Sequence, residues 1–394
     1  MSDNESNRRA WALGAETAFR NLREETIQQE SDVLRLPVEL YTSPARAAQE
    51  IALFKTVPVV VGHHSELSPG GFLTRDVLGV AIILVRREDG TPAGYINMCA
   101  HRGGKVEQAE SGSKRLFMCQ YHGWTYNRDS GDLRNVPFGE DFGEIDRTCY
   151  GLRKVRVEER HGLLWADLSN NRDLTVSGFL GDEIDAQVST LDLADTTLFA
   201  HKHLRLAANW KLVVDGALDG LHVKFLHPNG VSNYFPTGRN VYLKFGRHGR
   251  TFAPRKRMER LVKEGGALED ITDLRRYMSS NIRVYPNVSC IQAPDHIEFW
   301  TVWPSTDPSA CTIDIRFLVP TDRLDDECAE RVNRSWEVLE QAALKEDFPM
   351  EISIQDNANA NSGAYFTYGK NEFQVRHLHD CLASDLADPK SLDG

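Results

Sequence analysis

The sequence predicts an α+β protein, with a small all-β domain followed by a larger domain of antiparallel strands and helices. Three observations lead there. Residues 56–168 are filled with short β-like runs such as TVPVVVG, GVAIILVRR and HGLLWADL, separated by glycine-rich turns. From about residue 200 helix-like and strand-like stretches occur together. Residues 1–45 carry a polar helical stretch, TAFRNLREETIQQESDVL, before extended chain begins. A chain of 394 residues is also too long for one ordinary core. The predicted divisions are 1–45, 46–168 and 169–394.

In the larger domain, NWKLVVDGALDGLHVKFLHP reads as a helix within 204–227, ended near its His-Pro. RVYPNVSCIQA, HIEFWTVWPS and CTIDIRFLVP read as antiparallel strands, and DDECAERVNRSWEVLEQAALKEDF as a helix with an apolar stripe. Residues 229–280, rich in Gly, Arg and Lys, give the weakest pattern and read as loops or a mobile cover with short helices.

Composition narrows the function classes. Hydrophobic residues at 41% and charged residues at 26% are those of a soluble globular protein. A net charge of −11 argues against nucleic acid or an anionic membrane as the main partner. The polar start MSDNESNRRAWALGAE is not a signal peptide, and no apolar run reaches the roughly 18 residues of a membrane span, so a cytoplasmic protein is expected. The cysteines are Cys99, Cys119, Cys149, Cys290, Cys311, Cys328 and Cys381, an odd set scattered along a long chain and unlike a disulfide framework. Only Cys99 and Cys119 come with a nearby histidine at ligand-like spacing; the other five read as small buried apolar residues.

Cys99, His101, Cys119 and His122 follow the spacing C-x-H, seventeen residues, C-x-x-H. Tetrahedral zinc accepts two Cys and two His, but usually groups like ligands in one knuckle. Here each knuckle offers one of each. That suits a two-iron cluster with both thiolates on one iron and both imidazoles on the other. Gly103, Gly104 and Gly123 would let the two loops close around such a cluster.

A second set lies on the helix of residues 204–227, which carries Asp215, Asp219, His222 and His227. Asp219 and His222, three apart, share one helical face. His227 lies about 140° further round an ideal helix and joins His222 only if the helix ends there, as Pro228 suggests. Two histidines and a carboxylate on one side of the metal are the requirement of non-haem Fe(II) oxygenases. Asp347, in LKEDFPMEI just past the second long helix, is the first choice for the carboxylate, with Glu346 and Glu351 as rivals. Alone, the bland reading of a satisfied histidine pair in an acidic helix competes; beside an electron-transfer cluster it loses force, because a donor needs an acceptor.

The combination resembles the large (α) subunit of the Rieske non-haem iron oxygenases, the ring-hydroxylating family. CAHRG…CQYHGWTY matches that family's first signature, and Asn209–Lys211 followed by Asp219–His227 matches its second. The resemblance implies an N-terminal Rieske all-β [2Fe–2S] domain over 46–168 and a helix-grip catalytic domain over 169–394, on which the 1–45 helical segment packs. It implies Cys99, His101, Cys119 and His122 as cluster ligands, and His222, His227 and Asp347 as ligands of a mononuclear Fe(II). It further implies Asp219 as a bridging acid that links His222 to His101 or His122 of a neighbouring subunit in a head-to-tail homotrimer, with or without a small β subunit. Asp215, one turn earlier, either supports the site or lies on the helix surface.

The implied activity is that of a terminal oxygenase using O2 and electrons from a separate NADH-dependent reductase, directly or through a ferredoxin. The sequence has no dinucleotide fingerprint of its own. The expected substrate is an aromatic or similarly apolar small molecule, dihydroxylated as in aromatic hydrocarbon catabolism. Monooxygenation or O- or N-demethylation is the alternative within the family. An electron carrier without catalytic iron, or a zinc-stabilised binding module, are alternatives from other classes. Leu212, Val213, Phe225, Val288, Ile291 and Trp300 are candidate pocket walls, with plain core packing the competing account of each. Arg239 and Arg283 are candidates to hold a substrate carboxylate, though arginine in such places is commonly on a surface. The basic run 247–263 is either a docking patch for an acidic redox partner or a solvated helix.

Overall fold

The computed structural model describes residues 3–169 and 174–388, which fall into two compact units, one of residues 54–179 and one combining the N-terminal 53 residues with the chain after 179. The outer ends of the predicted segments 1–45 and 169–394 thus lie outside the described residues.

The smaller unit is all-β. Seven antiparallel strands run in the spatial order Val59–His63, Leu163–Asp167, Lys154–Arg160, Pro92–Ile96, Val80–Arg86, Gly71–Val77, Ser111–Ser113. A second, three-stranded sheet consists of Leu116–Met118, Thr125–Asn127 and Leu133–Asn135. Side chains of these short runs meet in a core that includes Phe72, Ile83, Tyr95, Phe117, Trp124 and Tyr126, and Cys99 and Cys119 are part of it.

The larger unit is built on seven antiparallel strands: β1 (Thr196–Leu206), β2 (Val241–Phe245), β3 (His248–Pro254), β4 (Met278–Val284), β5 (Val288–Gln292), β6 (Ile297–Pro304) and β7 (Cys311–Pro320). Their spatial order is β1-β7-β6-β5-β4-β3-β2. RVYPNVSCIQA, read above as one strand, is a hairpin: β4 and β5 pair from Val284 and Val288 outward across Tyr285–Asn287. Residues 229–280, read as loops or cover, contribute β2 and β3, paired from Phe245 and His248. No alternation marks β3 because six of its seven residues are buried. On one side the N-terminal helix α1 (Asp3–Arg23) covers Val241, Phe252 and Met278 with Ala15, Ala18, Phe19 and Leu22.

Two helical segments differ from their sequence reading. The helix after β1 is α2 (Trp210–Leu218), started by Asn209, whose side chain accepts the Lys211 N–H at 3.0 Å. It does not run on to His227: Asp219 is already extended (φ −78°, ψ 130°), and only a single turn, Val223–Leu226, follows. The later helix does not stop before Asp347. It continues from α3 (Asp326–Leu339) through a π-helical stretch, Glu340–Asp347, into α4 (Phe348–Ala360). π-Helical turns recur at functional sites because the extra residue re-aims the side chains around it.

The start of α2 is held from inside. Glu50, on the helix Pro44–Phe54, receives Lys211 Nζ at 2.8 and 2.7 Å, Trp210 Nε1 at 2.7 Å and Arg46 Nε at 2.8 Å. Glu50 and Lys211 have no exposed side-chain surface. Burial would push the Glu50 pKa up, but the Lys211 charge and these hydrogen bonds outweigh it and hold Glu50 ionised.

Candidate metal centres

The Cys99–Gly104 and Cys119–Trp124 loops are built alike. In each, the cysteine carbonyl accepts the N–H of the residue four further on, Gly103 or Gly123, at 2.9 Å. Each cysteine N–H donates to the residue five further on, Gly104 at 2.7 Å or Trp124 at 2.9 Å. The pattern needs a left-handed residue at the fourth position, and Gly103 and Gly123 have φ of +78° and +74°. A Cβ on Gly123 would also lie 2.9 Å from Pro137 Cγ, whereas one on Gly103 would meet nothing nearer than 3.9 Å. Gly123→Ala is therefore expected to cost about 1–2 kcal/mol and lower cluster absorbance per chain, with Gly103→Ala paying the backbone strain alone. Parallel visible spectra and thermal melts of the two variants test that ranking.

The two loops point their thiols inward and their imidazoles outward. Cys99 and Cys119 are 2% and 3% exposed, while His101 is half-buried and His122 exposed, their rings 4.5 Å apart. Trp124 stacks on His101 at 5.2 Å. Tyr126 hydroxyl lies 3.2 Å from Cys99 Sγ and accepts the Ala100 N–H at 3.0 Å. An asymmetric pair of metals, thiolate-bound inside and imidazole-bound at the surface, fits this donor set; one tetrahedral ion has no use for such a division. Tyr126 escaped the sequence reading, although it stands at the end of CQYHGWTY, because nothing in spacing shows that its hydroxyl returns to Cys99.

In the larger unit, His222, His227 and Asp347 are the one set of three or more His, Cys, Asp or Glu, among the described residues, whose ligand atoms lie within 4.8 Å of one another. Asp347 Oδ1 is 3.0 Å from His227 Nε2 and 3.7 Å from His222 Nε2. The opposite ring nitrogens are taken. His222 Nδ1 lies 3.0 Å from Asp219 Oδ2, and His227 Nδ1 bonds Glu346. Two carboxylates thus hold both imidazoles with Nε2 lone pairs turned toward one point. Glu346, a rival for the third ligand, orients His227 instead, and Glu351 is not part of the set.

The break at Asp219 makes this possible. Its carboxylate accepts the backbone N–H of Leu221 at 2.6 Å and of His222 at 3.2 Å, fixing the bend into the turn Val223–Leu226 as it grips the His222 ring. Burial acts to raise the Asp219 pKa, but the His222 and Leu221 bonds prevail and lower it. For His222 burial acts downward, and Asp219 bonding with the charges of Asp219 and Asp347 prevails to raise it. Asp347 is raised, chiefly by burial. Two imidazoles and a carboxylate, partly buried, are a donor set that fits Fe(II).

Glu346→Ala, which frees His227 Nδ1, is expected to weaken iron retention about 10–100-fold, with Glu346→Gln closer to the natural protein. Dialysis against a graded chelator followed by iron assay reads the difference.

The three donors sit in the wall of a cavity of about 890 Å³, within the range of small-molecule sites. Of the predicted wall residues, Val213, Arg283, Val288, Ile291 and Trp300 line it. Leu212 and Phe225 do not: Leu212 is 5% exposed on the far side of α2, and Phe225, in the short turn, is 78% exposed. Arg239 lies outside the cavity and donates to Thr26 O at 2.6 Å. Asp215 is not on a surface; it is buried and bonds Tyr41, Tyr368 and His379. The basic run 247–263 is not one patch, since Arg247 pairs with Asp385, Arg250 is buried and Arg255 lines the cavity. Cys149, expected inside, is exposed.

Comparison with known proteins gives two family matches. The Rieske [2Fe–2S] domain matches residues 57–146, and the ring-hydroxylating α-subunit catalytic domain matches residues 193–388. The chain is 28% identical over 206 residues to the anthranilate 1,2-dioxygenase large subunit of Acinetobacter baylyi, covering 51% of this chain and 44% of that one. It is 29% identical over 201 residues to the carnitine monooxygenase oxygenase subunit of Escherichia coli K12, covering 49% and 54%. The matches thus span about half the length of these relatives. Among solved structures, the quaternary ammonium Rieske monooxygenase CntA shares the fold with a TM-score of 0.76 at 19% identity, over 90% of this chain and 96% of that one. The naphthalene 1,2-dioxygenase of Rhodococcus sp. does so with a TM-score of 0.72 at 19% identity, over 95% and 98%.

Proposed function

This chain belongs to the family of Rieske oxygenase large subunits, and from that premise we propose that it is the terminal oxygenase of a multicomponent system acting on a small, largely apolar organic compound. The observation that carries the reading is the convergence of His222, His227 and Asp347 on one point in a cavity wall.

Cofactors of the family are a Rieske [2Fe–2S] cluster and a mononuclear non-haem iron; bound, they supply one-electron transfer and O2 activation. The chain's own residues hold and orient. Cys99 and Cys119 would hold the cluster from the buried side and His101 and His122 from the surface. His222, His227 and Asp347 would hold the iron. Glu346 fixes His227, and Asp219 fixes His222. Valines 213 and 288, Ile291 and Phe348 keep water from the substrate's apolar body. On this reading residues 46–168 form the electron-transfer domain and 169–394 the catalytic one, with 1–45 docked on the latter.

Asp219 has a second task in this account: to meet a cluster histidine of the neighbouring subunit in a homotrimer, with or without a β subunit. Large exposed apolar side chains support an assembled state: Met98, Met118, Tyr121 and Phe138 around the cluster loops, and Phe225 and Tyr234 near the iron ligands. Electrons come from a separate NADH-dependent reductase, directly or through a ferredoxin. None of the described helices is long and apolar enough to cross a membrane.

Dihydroxylation of an aromatic ring is the leading outcome; monooxygenation or demethylation is the second reading, favoured by the likeness to carnitine and glycine betaine monooxygenase subunits. Single turnover of dithionite-reduced protein under ¹⁸O₂, with aromatic and N-methyl compounds, separates them: two labelled atoms retained in a diol for the first, and for the second one labelled atom in a hydroxylated product or, on demethylation, formaldehyde in step with the demethylated compound. Finding neither labelled product nor formaldehyde from any compound would remove the oxygenase reading.

A further inference from the structure

Arg283, on β4, is 2% exposed and lines the cavity. Its Nη2 is fully engaged away from that space, with Tyr242 hydroxyl at 3.1 Å, Arg247 O at 3.0 Å and His377 Nδ1 at 3.0 Å. Its Nε and Nη1 are buried and have no partner. Among the described residues no carboxylate lies within ion-pair reach of this guanidinium. Every other acceptor around it is neutral. Burial, then the Arg283 charge itself, pushes the His377 pKa down to about 3, so His377 is an uncharged acceptor. Its Nε2 lies 2.9 Å from Gly246 O, which leaves Nδ1 as the accepting nitrogen.

The position is built, not incidental. Across the strand pair, Arg283 faces Gly249 of β3, and a Cβ there would strike Tyr242 hydroxyl at 2.0 Å. A glycine is thus required for Tyr242 to reach the guanidinium. On the other side, Arg283 pairs with Ser289, and Ser289 with Trp300. All three line the cavity, as does Asn287. Trp300 Nε1 and Asn287 Nδ2 are also buried donors without partners. A buried cation without counter-charge is destabilising unless an anion joins it in the working state. Buried donors without acceptors have the same need. The cavity's own acids are placed differently: Asp219 and Asp347 are at His222 and His227, Asp295 pairs with Arg331, Glu298 lies 3.7 Å from His296, and Glu351 faces Gly216 of α2.

We propose that Arg283 is the anchor for an anionic group of the substrate, and that the substrate is an organic carboxylate whose apolar body fills the rest of the cavity. Trp300 and Asn287 donate to the same oxyanion. This rests on the oxygenase reading for the identity of the cavity as the substrate site, and it specifies the substrate class that reading leaves open.

Equilibrium binding to the iron-loaded protein tests it without turnover. The probes are benzoate and 3-phenylpropanoate, each against its amide, followed by calorimetry. The carboxylates are expected to bind about 10–100-fold tighter than the amides. Arg283→Gln is expected to abolish that preference, and Arg283→Lys to keep part of it. Should Arg283→Gln fail to fold, Trp300→Phe serves, expected to narrow the preference while the cluster spectrum is unchanged. Equal binding of acids and amides by the natural protein, no carboxylate binding at millimolar concentration, or a preference that survives Arg283→Gln would each overturn the proposal. None of those outcomes touches the iron content or the ¹⁸O result on which the oxygenase reading stands.

Discussion

A His227→Ala variant is expected to lose one iron per chain and its turnover while keeping its two sulfides and its visible spectrum. The separation follows from placement: the cluster candidates belong to the smaller unit and His227 to the larger. His227 is 3% exposed, and its Nε2 makes the shortest contact with Asp347. Without it, one imidazole and one carboxylate remain, too few to fix an Fe(II) with open positions on one side. The loss of turnover is expected to exceed the roughly 100-fold typical of losing an outer hydrogen-bond partner. Iron and sulfide assays on the variant check it. Full iron content in His227→Ala would remove this residue from the ligand set.

The second large effect is on stability. Lys211→Ala leaves the fully buried Glu50 with only the partly exposed Arg46 as counter-charge. Breaking a buried pair from one side costs about 3–5 kcal/mol, because the abandoned charge keeps its desolvation penalty. Glu50 also anchors Trp210, so the damage spreads along α2 toward Asp219 and the iron ligands. The double replacement Glu50→Leu with Lys211→Met removes both charges and is expected to be more stable than Lys211→Ala. Denaturant titration of the natural protein and the two variants, followed by circular dichroism, checks that order. Equal losses in single and double variants would show that packing, not the ion pair, holds this helix.

The candidate ligands were legible because their signal is local. C-x-H, C-x-x-H and the spacing from Asp219 through His222 to His227 bring chemistry-bearing side chains together over a few residues. Asp347 stands less firmly in the sequence, with Glu346 and Glu351 as rivals, since its place depends on a pairing across more than a hundred residues. What escaped has physical causes. The helix of 204–227 was read as continuous because apolar periodicity runs through it. The break comes from Asp219 taking the Leu221 and His222 N–H groups, a bond that pattern does not encode. The π-helical stretch before Phe348 carries no residue signature of its own and is equally silent in sequence. Strand β3 looked like loop because Arg250 is buried within it, bonded to Ser280, Asn7 and Gln187. The polar partners that satisfy it come from distant segments. Arg283 and Arg239 were indistinguishable as letters; only the fold puts one in the cavity and the other against Thr26.

The most direct test of the two-centre account is iron and acid-labile sulfide per chain on anaerobically purified protein, with its visible spectrum and its EPR after dithionite. A two-iron cluster plus one mononuclear site predicts about three irons and two sulfides, with the reduced signal of a cluster bound by two imidazoles. Zinc in a colourless protein would contradict both centres at once; two irons that added Fe(II) does not raise to three would contradict the second.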